Sequence, residues 1–197
     1  MEISQYFYET HADKFSDTRF CLWDVVCDFG KQFKITDNVL DAGCGNGKNI
    51  KYFKDNCKIS GFDKSENLVY ICKKKGYDVI YGDILNIPFE KEIFDYVMCI
   101  AVIHHLDSRE RHIHAIDQLM NTLKKNGKCL ITLWAHESDE YSKKKKFRKG
   151  DNIVTFGDTN RYYYIYDKTM LINLLSNISY KYEYYWERGN WNIILTK

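Results

Sequence analysis

The sequence predicts an α/β fold in which a mostly parallel sheet carries helices on both faces. Three observations carry that prediction. Five short apolar runs alternate with amphipathic stretches between residues 38 and 135. The first run ends in a glycine-rich turn, VLDAGCGNGKNI (39–50). Two more runs flank a turn near the C-terminus. Strands that alternate with helices are joined by right-handed crossovers, which makes neighbouring strands parallel. At 197 residues the chain fits one such domain and is long enough to bury a real core.

Residues 2–35 read as helical, because Tyr6, Phe7, Phe15, Phe20, Trp23, Val26 and Phe29 recur at helical intervals. The strands follow as NVLDAG (38–43), CKISGFD (57–63), YDVIYGD (77–83), FDYVMCIAV (94–102) and GKCLITLWA (127–135). A helix opens at Ser65-Glu66-Asn67 and closes at Lys73-Lys74-Lys75-Gly76, where cations oppose the negative end of the dipole and the glycine caps. Lys124-Lys125-Asn126-Gly127 is expected to end another helix in the same way. HESDEYSKKKKFRKGDN (136–152) is a polar, mobile loop by composition, and a last helix starts near Asp167, burying Leu171, Leu174, Leu175 and Ile178. KYEYYWERGNWNIILTK (181–197) reads as an antiparallel hairpin turning at Arg188-Gly189-Asn190, which brings the sheet to seven strands. The expected organisation is one domain: a helical extension over 1–35, a core over 36–135, and a basic loop, helix and hairpin over 136–197.

Composition excludes several classes of function. A net charge of +2 is too small to argue for nucleic acid or membrane by itself, so such a partner must be met by a local patch. The seven cysteines include no CxxC pair, which gives no metal site and reads as free thiols in a reducing compartment. No basic-then-apolar leader opens the chain, and the longest apolar run, YVMCIAVI (96–103), is too short to span a bilayer. The expectation is a cytoplasmic protein, with the nucleus as the other possibility, and no membrane association.

The glycine-rich turn narrows the chemistry. A triphosphate-binding loop needs four residues between its glycines and then Lys-Ser/Thr, but Gly47-Lys48 is followed by Asn49. A dinucleotide turn needs GxGxxG, whereas Gly43-Cys44-Gly45-Asn46-Gly47 is GxGxG. The shorter turn suits S-adenosylmethionine (SAM), which has no pyrophosphate to seat; its ammonium needs an acceptor, and Asp41 supplies acidity directly or by ordering the loop. Asp63, ending the next strand, is placed to accept from ribose hydroxyls. Asp83, beside the N–H of Ile84, is placed to read an adenine amino group. These residues, with Ile100 at the end of the fourth strand, form the expected cofactor set. The ordered series resembles a Rossmann-like class I SAM-dependent methyltransferase over roughly residues 36–135.

The flanks resemble one family within that class. HADKFSDTRFCLW (11–23), IAVIHHLDSRERH (100–112), LITLWA (130–135), RYYYIY (161–166) and GNWNIILTK (189–197) are similar to the tRNA methyltransferases that esterify 5-carboxymethyluridine at the wobble position of the anticodon. Three places depart from the pattern: DNIVTF (151–156) in place of a Val-Pro-Trp stretch, Asn126-Gly127 in place of Pro-Gly-Gly, and Asp24 in place of a proline after Trp23. The resemblance implies a substrate carboxylate as nucleophile, so positioning and desolvation replace general-base catalysis. It implies Arg19 as the first choice to hold that carboxylate, helped by His104 or His105. Arg161, Tyr162, Asn190 and Trp191 would frame the flipped uridine. Lys143, Lys144, Lys145, Lys146 and Arg148, within KKKKFRK (143–149), would clamp the tRNA backbone. It also implies a small zinc-binding activator protein, expected at the edge strand 77–81.

The residues alone leave blander alternatives open. Arg19 can pair with Asp17, Trp191 can be core, and the basic run can be a solvated loop. The competing functions are a SAM-dependent methyltransferase of a small molecule and a SAM-binding partner protein without chemistry.

Overall fold

The structure is a computed structural model and describes residues 3–17, 21–137 and 147–197. The N-terminal segment is three short helices, α1 (Ile3–Thr10), α2 (Ala12–Ser16) and α3 (Asp24–Gly30), where the periodicity suggested continuous helix. The apolar positions recur at helical spacing within each piece, but α1 packs against β7 and α5, whereas α3 packs into the layer it shares with α4 and α5.

The central runs form β1 (Asn38–Ala42), β2 (Lys58–Asp63), β3 (Val79–Tyr81) and β4 (Phe94–Ile100), with α4 (Lys48–Phe53) and α5 (Glu66–Lys74) between the first three. Ser65 caps α5 by accepting from the Leu68 N–H at 3.2 Å, and Gly76 closes that turn at φ +76°, both as expected. A 3-10 turn over Ile103–His105 leads to α6 (Arg109–Thr122) and β5 (Leu123–Trp134). After the loop come β6 (Gly150–Phe156), β7 (Thr159–Ile165), α7 (Lys168–Leu175), β8 (Lys181–Glu187) and β9 (Asn190–Thr196). Asp167 is the N-cap of α7, accepting from the Met170 N–H at 2.8 Å.

The expectation at Lys124-Lys125-Asn126-Gly127 needs correcting: these residues do not end a helix. The helix stops at Thr122, and Leu123, fully buried, already pairs with Phe94 in the sheet. The register then jumps to Tyr96↔Lys128, so 124–127 is a bulge in which Asn126 takes φ +66°. Lys124 does not cap; its ammonium pairs with Asp95 at 2.8 Å. Burial of Leu123 outweighs the cap-like sequence that follows it.

The seven-stranded sheet runs β3-β2-β1-β4-β5-β9-β8, and β9 alone is antiparallel to its neighbours. A separate hairpin, β6–β7, lies outside it. Alternation along each strand sorts the core into two layers. Leu40, Val97, Cys99, Ile131, Leu133, Ile193 and Leu195 meet Ile116, Leu119 and Met120 of α6 and Leu171, Leu174 and Leu175 of α7. Val39, Ile59, Met98 and Leu130 meet Val26 and Phe29 of α3, Ile50 and Phe53 of α4, and Val69 and Cys72 of α5. Helices therefore cover both faces. The chain winds outward in both directions from the β1/β4 boundary, so a crevice opens beyond the carboxyl ends of those strands. No helix among the described residues is long and apolar enough to cross a membrane.

Leu119 is fully buried between α6 and the sheet. Leu119→Ala is expected to lower unfolding free energy by about 2–5 kcal/mol, read as a reduced urea midpoint at unchanged slope.

Candidate active site

The carboxyl ends of β1, β2, β4 and β5 open into one cavity of about 660 Å³, within the usual range for a small-molecule site. Its floor at one end is the glycine-rich turn. Gly43 and Gly45 line it at φ +72° and +56°, and a Cβ on Gly43 would stand 2.5 Å from a Val102 methyl. Both positions therefore require glycine. Gly47 is also left-handed but faces away from the cavity, where a Cβ would strike the Tyr77 ring at 2.6 Å. Its work is the turn into α4.

Asp63 ties this turn to the next helix. One carboxylate oxygen accepts from the Gly45 N–H at 2.8 Å and the other from the Ser65 N–H at 2.9 Å. Burial pushes its pKa up, and the backbone N–H groups of Ser65, Gly45 and Lys64 oppose that shift. Asp41 is not on the cavity wall. It sits beneath the turn, 1% exposed, where the Asn49 side-chain amide donates to Oδ1 at 3.1 Å. Its Oδ2 has no hydrogen-bond partner, and neither has Oδ1 of Asn49. Burial lifts Asp41 to a pKa of about 7, with the Asn49 hydrogen bond opposing. Asp83 lines the cavity, accepts from the Leu85 N–H at 3.0 Å and pairs with Lys64 at 2.7 Å. Burial raises it, but those two contacts win and hold it below its ordinary value. Ile84 and Ile100 complete this wall.

These groups fit SAM. A carboxylate fixed by backbone donors at the end of β2 keeps lone pairs for ribose hydroxyls, and the orphaned Asp41 and Asn49 oxygens behind the turn offer acceptors for a water beneath it. Ala101, just past β4, takes φ +59°, held by donating to the carbonyl and hydroxyl of Thr132. That turn carries the chain back across the cavity mouth as residues 102–105.

The other end of the cavity is aromatic. Trp134, at the end of β5, stacks on Tyr163 of β7 with centroids 4.3 Å apart and planes 6° apart. Phe147 tilts against Trp134 at 5.4 Å. His104 is fully buried, and its Nδ1 accepts from the Trp134 N–H at 3.2 Å, which puts the ring proton on Nε2. His105 is held on both ring nitrogens: Nδ1 donates to the Tyr162 carbonyl at 2.8 Å, and Nε2 accepts from the Tyr8 hydroxyl at 2.9 Å. Both histidines line the cavity. Ser4 and Tyr8 of α1 and Asn190 join this wall.

The remaining sequence expectations divide. Arg161 lines the cavity, but Tyr162 does not; its hydroxyl donates to Asp151 while its backbone carbonyl holds His105. Tyr163 takes the inward place, as strand alternation requires. Trp191 is core, 5% exposed, with its indole N–H donating to Glu137 at 3.2 Å. Arg148 is exposed and not on the cavity wall. Arg19 and Lys143 to Lys146 lie outside the described residues. Among the described residues no three His, Cys, Asp or Glu side chains gather as metal ligands.

A family model described as a methyltransferase domain matches residues 40–131. A protein of Encephalitozoon cuniculi, whose name assigns it only to the methyltransferases, is 32% identical over 186 residues, 89% of this chain and 85% of that protein. The chain belongs to the methyltransferases. Within them it is 41% identical to the tRNA (carboxymethyluridine(34)-5-O)-methyltransferase of Xenopus tropicalis over 142 residues, 72% of this chain. It is 36% identical to the Saccharomyces cerevisiae protein of the same name over 132 residues, 66% of this chain. The matched region spans 22% and 47% of those two relatives. Among solved structures, a SAM-dependent methyltransferase of Thermotoga maritima superposes with a TM-score of 0.72 at 20% identity, covering 98% of this chain and 99% of that one. A DhpI–SAH complex superposes at 0.75 with 13% identity, covering 98% and 95%. These two establish the methyltransferase fold.

Asp63→Ala removes an acceptor that orders the turn as well as one for the cofactor, and is expected to weaken SAM binding on the order of tenfold or more in calorimetry. Asp41 makes stability depend on pH. Its folded pKa lies above the unfolded value, so its proton stabilises the fold fully below about pH 4, and that contribution is lost as pH rises through about 7. The cofactor-free wild type should therefore lose more Tm between those pH values than Asp41→Asn, on the order of several degrees by calorimetry.

Proposed function

We propose that this methyltransferase esterifies the carboxylate of 5-carboxymethyluridine at the wobble position of a tRNA anticodon. The observation that carries the reading is the kinship to relatives of that name. The substrate end of the cavity supports it, being built of aromatic faces and a guanidinium, with its half-buried histidine, His105, committed on both nitrogens. Such a wall suits a planar base bearing an anion and a reaction that needs no proton acceptor.

When bound, SAM supplies an electrophilic methyl group on a sulfonium, which an ionised carboxylate attacks unaided. Gly43, Gly45, Asp63 and Asp83 would hold the cofactor. Trp134 and Phe147 present ring faces on which a base can stack. The buried His104 and Tyr163 exclude water from behind them, which leaves the substrate carboxylate poorly solvated and more reactive. A carboxylate is fully ionised well below neutrality, so turnover at saturating SAM should stay flat between about pH 6.5 and 8.5. A bell-shaped profile there would point to a base and another acceptor.

The reading includes a small zinc-binding activator protein. Its support is β3, which among the described residues pairs only with β2 and forms an edge of the sheet. Tyr81 and Tyr70 expose 50% and 57% of their surface nearby, as an unpaired edge awaiting strand addition does. Tyr81→Lys should leave Tm within a few degrees of wild type and abolish co-elution with the activator in gel filtration.

The direct test uses SAM carrying a labelled methyl group and tRNA bearing unesterified carboxymethyluridine, with and without co-expressed activator. Label in an alkali-labile uridine methyl ester is the expected result. Alkali-stable label, or none despite SAM binding, overturns the reading.

A further inference from the structure

The geometry points to Arg161 as the group that reads the substrate's negative charge, an assignment that rests on the function proposed above. Arg161 projects from β7 into the cavity between the aromatic wall and α1. Its guanidinium lies over the Phe7 ring at 4.3 Å, with the Tyr163 and Phe156 rings at 5.5 and 5.9 Å. Its Nε is buried without a hydrogen-bond partner, and it forms no ion pair with any described acid. The other cations on the wall are engaged: Lys64 with Asp83 at 2.7 Å, Arg188 with Asp24 at 2.7 Å, and Lys48 over the Trp23 ring at 5.4 Å.

A cation set among rings and lacking a counter-charge is a site for an anionic ligand. Stacking occupies the face of the guanidinium and leaves its edge, where the N–H donors point, for a planar two-oxygen partner. The same arrangement explains discrimination. An amide in place of the carboxylate carries no charge and offers one acceptor oxygen. The methyl ester is also neutral, so esterification removes the charge that Arg161 holds and favours release of product. Tyr8 and His105 beside it are spent on each other and on Tyr162, so they position the wall rather than compete for the anion.

The test compares the full chain as wild type, Arg161→Gln and Arg161→Lys, each with its co-expressed activator. Steady-state methylation of carboxymethyluridine tRNA is measured with competition by tRNA bearing the corresponding amide, and SAM affinity by calorimetry. Wild type should prefer acid over amide at least about tenfold. Arg161→Gln should lose that preference and raise KM about tenfold or more, with a smaller fall in kcat and unchanged SAM affinity. Arg161→Lys should restore part of the preference through charge without the fork. A glutamine variant that binds SAM and still prefers the acid overturns the assignment alone. Should glutamine cost SAM affinity through misfolding, lysine carries the comparison, and a lysine variant that keeps the full wild-type preference for acid over amide overturns the assignment. Wild type that methylates neither tRNA overturns the proposed function itself.

Discussion

The Asp63 carboxylate, shared between the N–H groups of Gly45 and Ser65, is the contact on which the cofactor end of the site depends. It joins three elements in one stroke: the glycine turn after β1, the end of β2, and the N-terminus of α5. The turn is further pinned by two N–H groups, of Gly43 and Cys44, on the Phe62 carbonyl. A backbone with three left-handed glycines in five residues has little conformational preference of its own. It holds one shape because its neighbour strand ends in an acid.

The two carboxylates that face the glycine turn from the cavity wall were legible because they follow from strand ends. A parallel sheet must send each strand's carboxyl end to the same side, so the acids at positions 63 and 83 could be placed beside the turn before any coordinates were known. The exception is Asp41, whose alternation directs it under the turn, where it meets Asn49 rather than the cavity. Gly47 belongs to the same lesson: the repeat of glycines marks the turn, but its last member serves the packing of Tyr77 and Cys72.

The substrate end was harder to read because it is assembled from distant pieces. Ser4 meets residue 162, Tyr8 meets 105, and Trp134 meets 163, pairings that no local spacing announces. Strand alternation did offer one signal, since Arg161 and Tyr163 must share a face and Tyr162 must oppose them. The rule that strand ends carry function would also have favoured Trp134 over Trp191, whose indole sits one strand over in the core. At Lys124–Gly127 the cap-like sequence misled because hydrophobic burial of the preceding leucine decided the geometry.

Helix α1 is eight residues long, shorter than a helix that stands by itself in water. What keeps it ordered comes from two separate parties. Glu9 receives Asn67 donors from the α5 side, while Ser4, Tyr8 and His11 reach Tyr162, His105 and Thr159 on the other. The helix is thus a staple across the seam between the glycine-turn end and the aromatic end of the cavity. The entropy lost in fixing it is a common cost, borne once for both halves, and whichever ligand firms it first leaves less ordering for the next to supply.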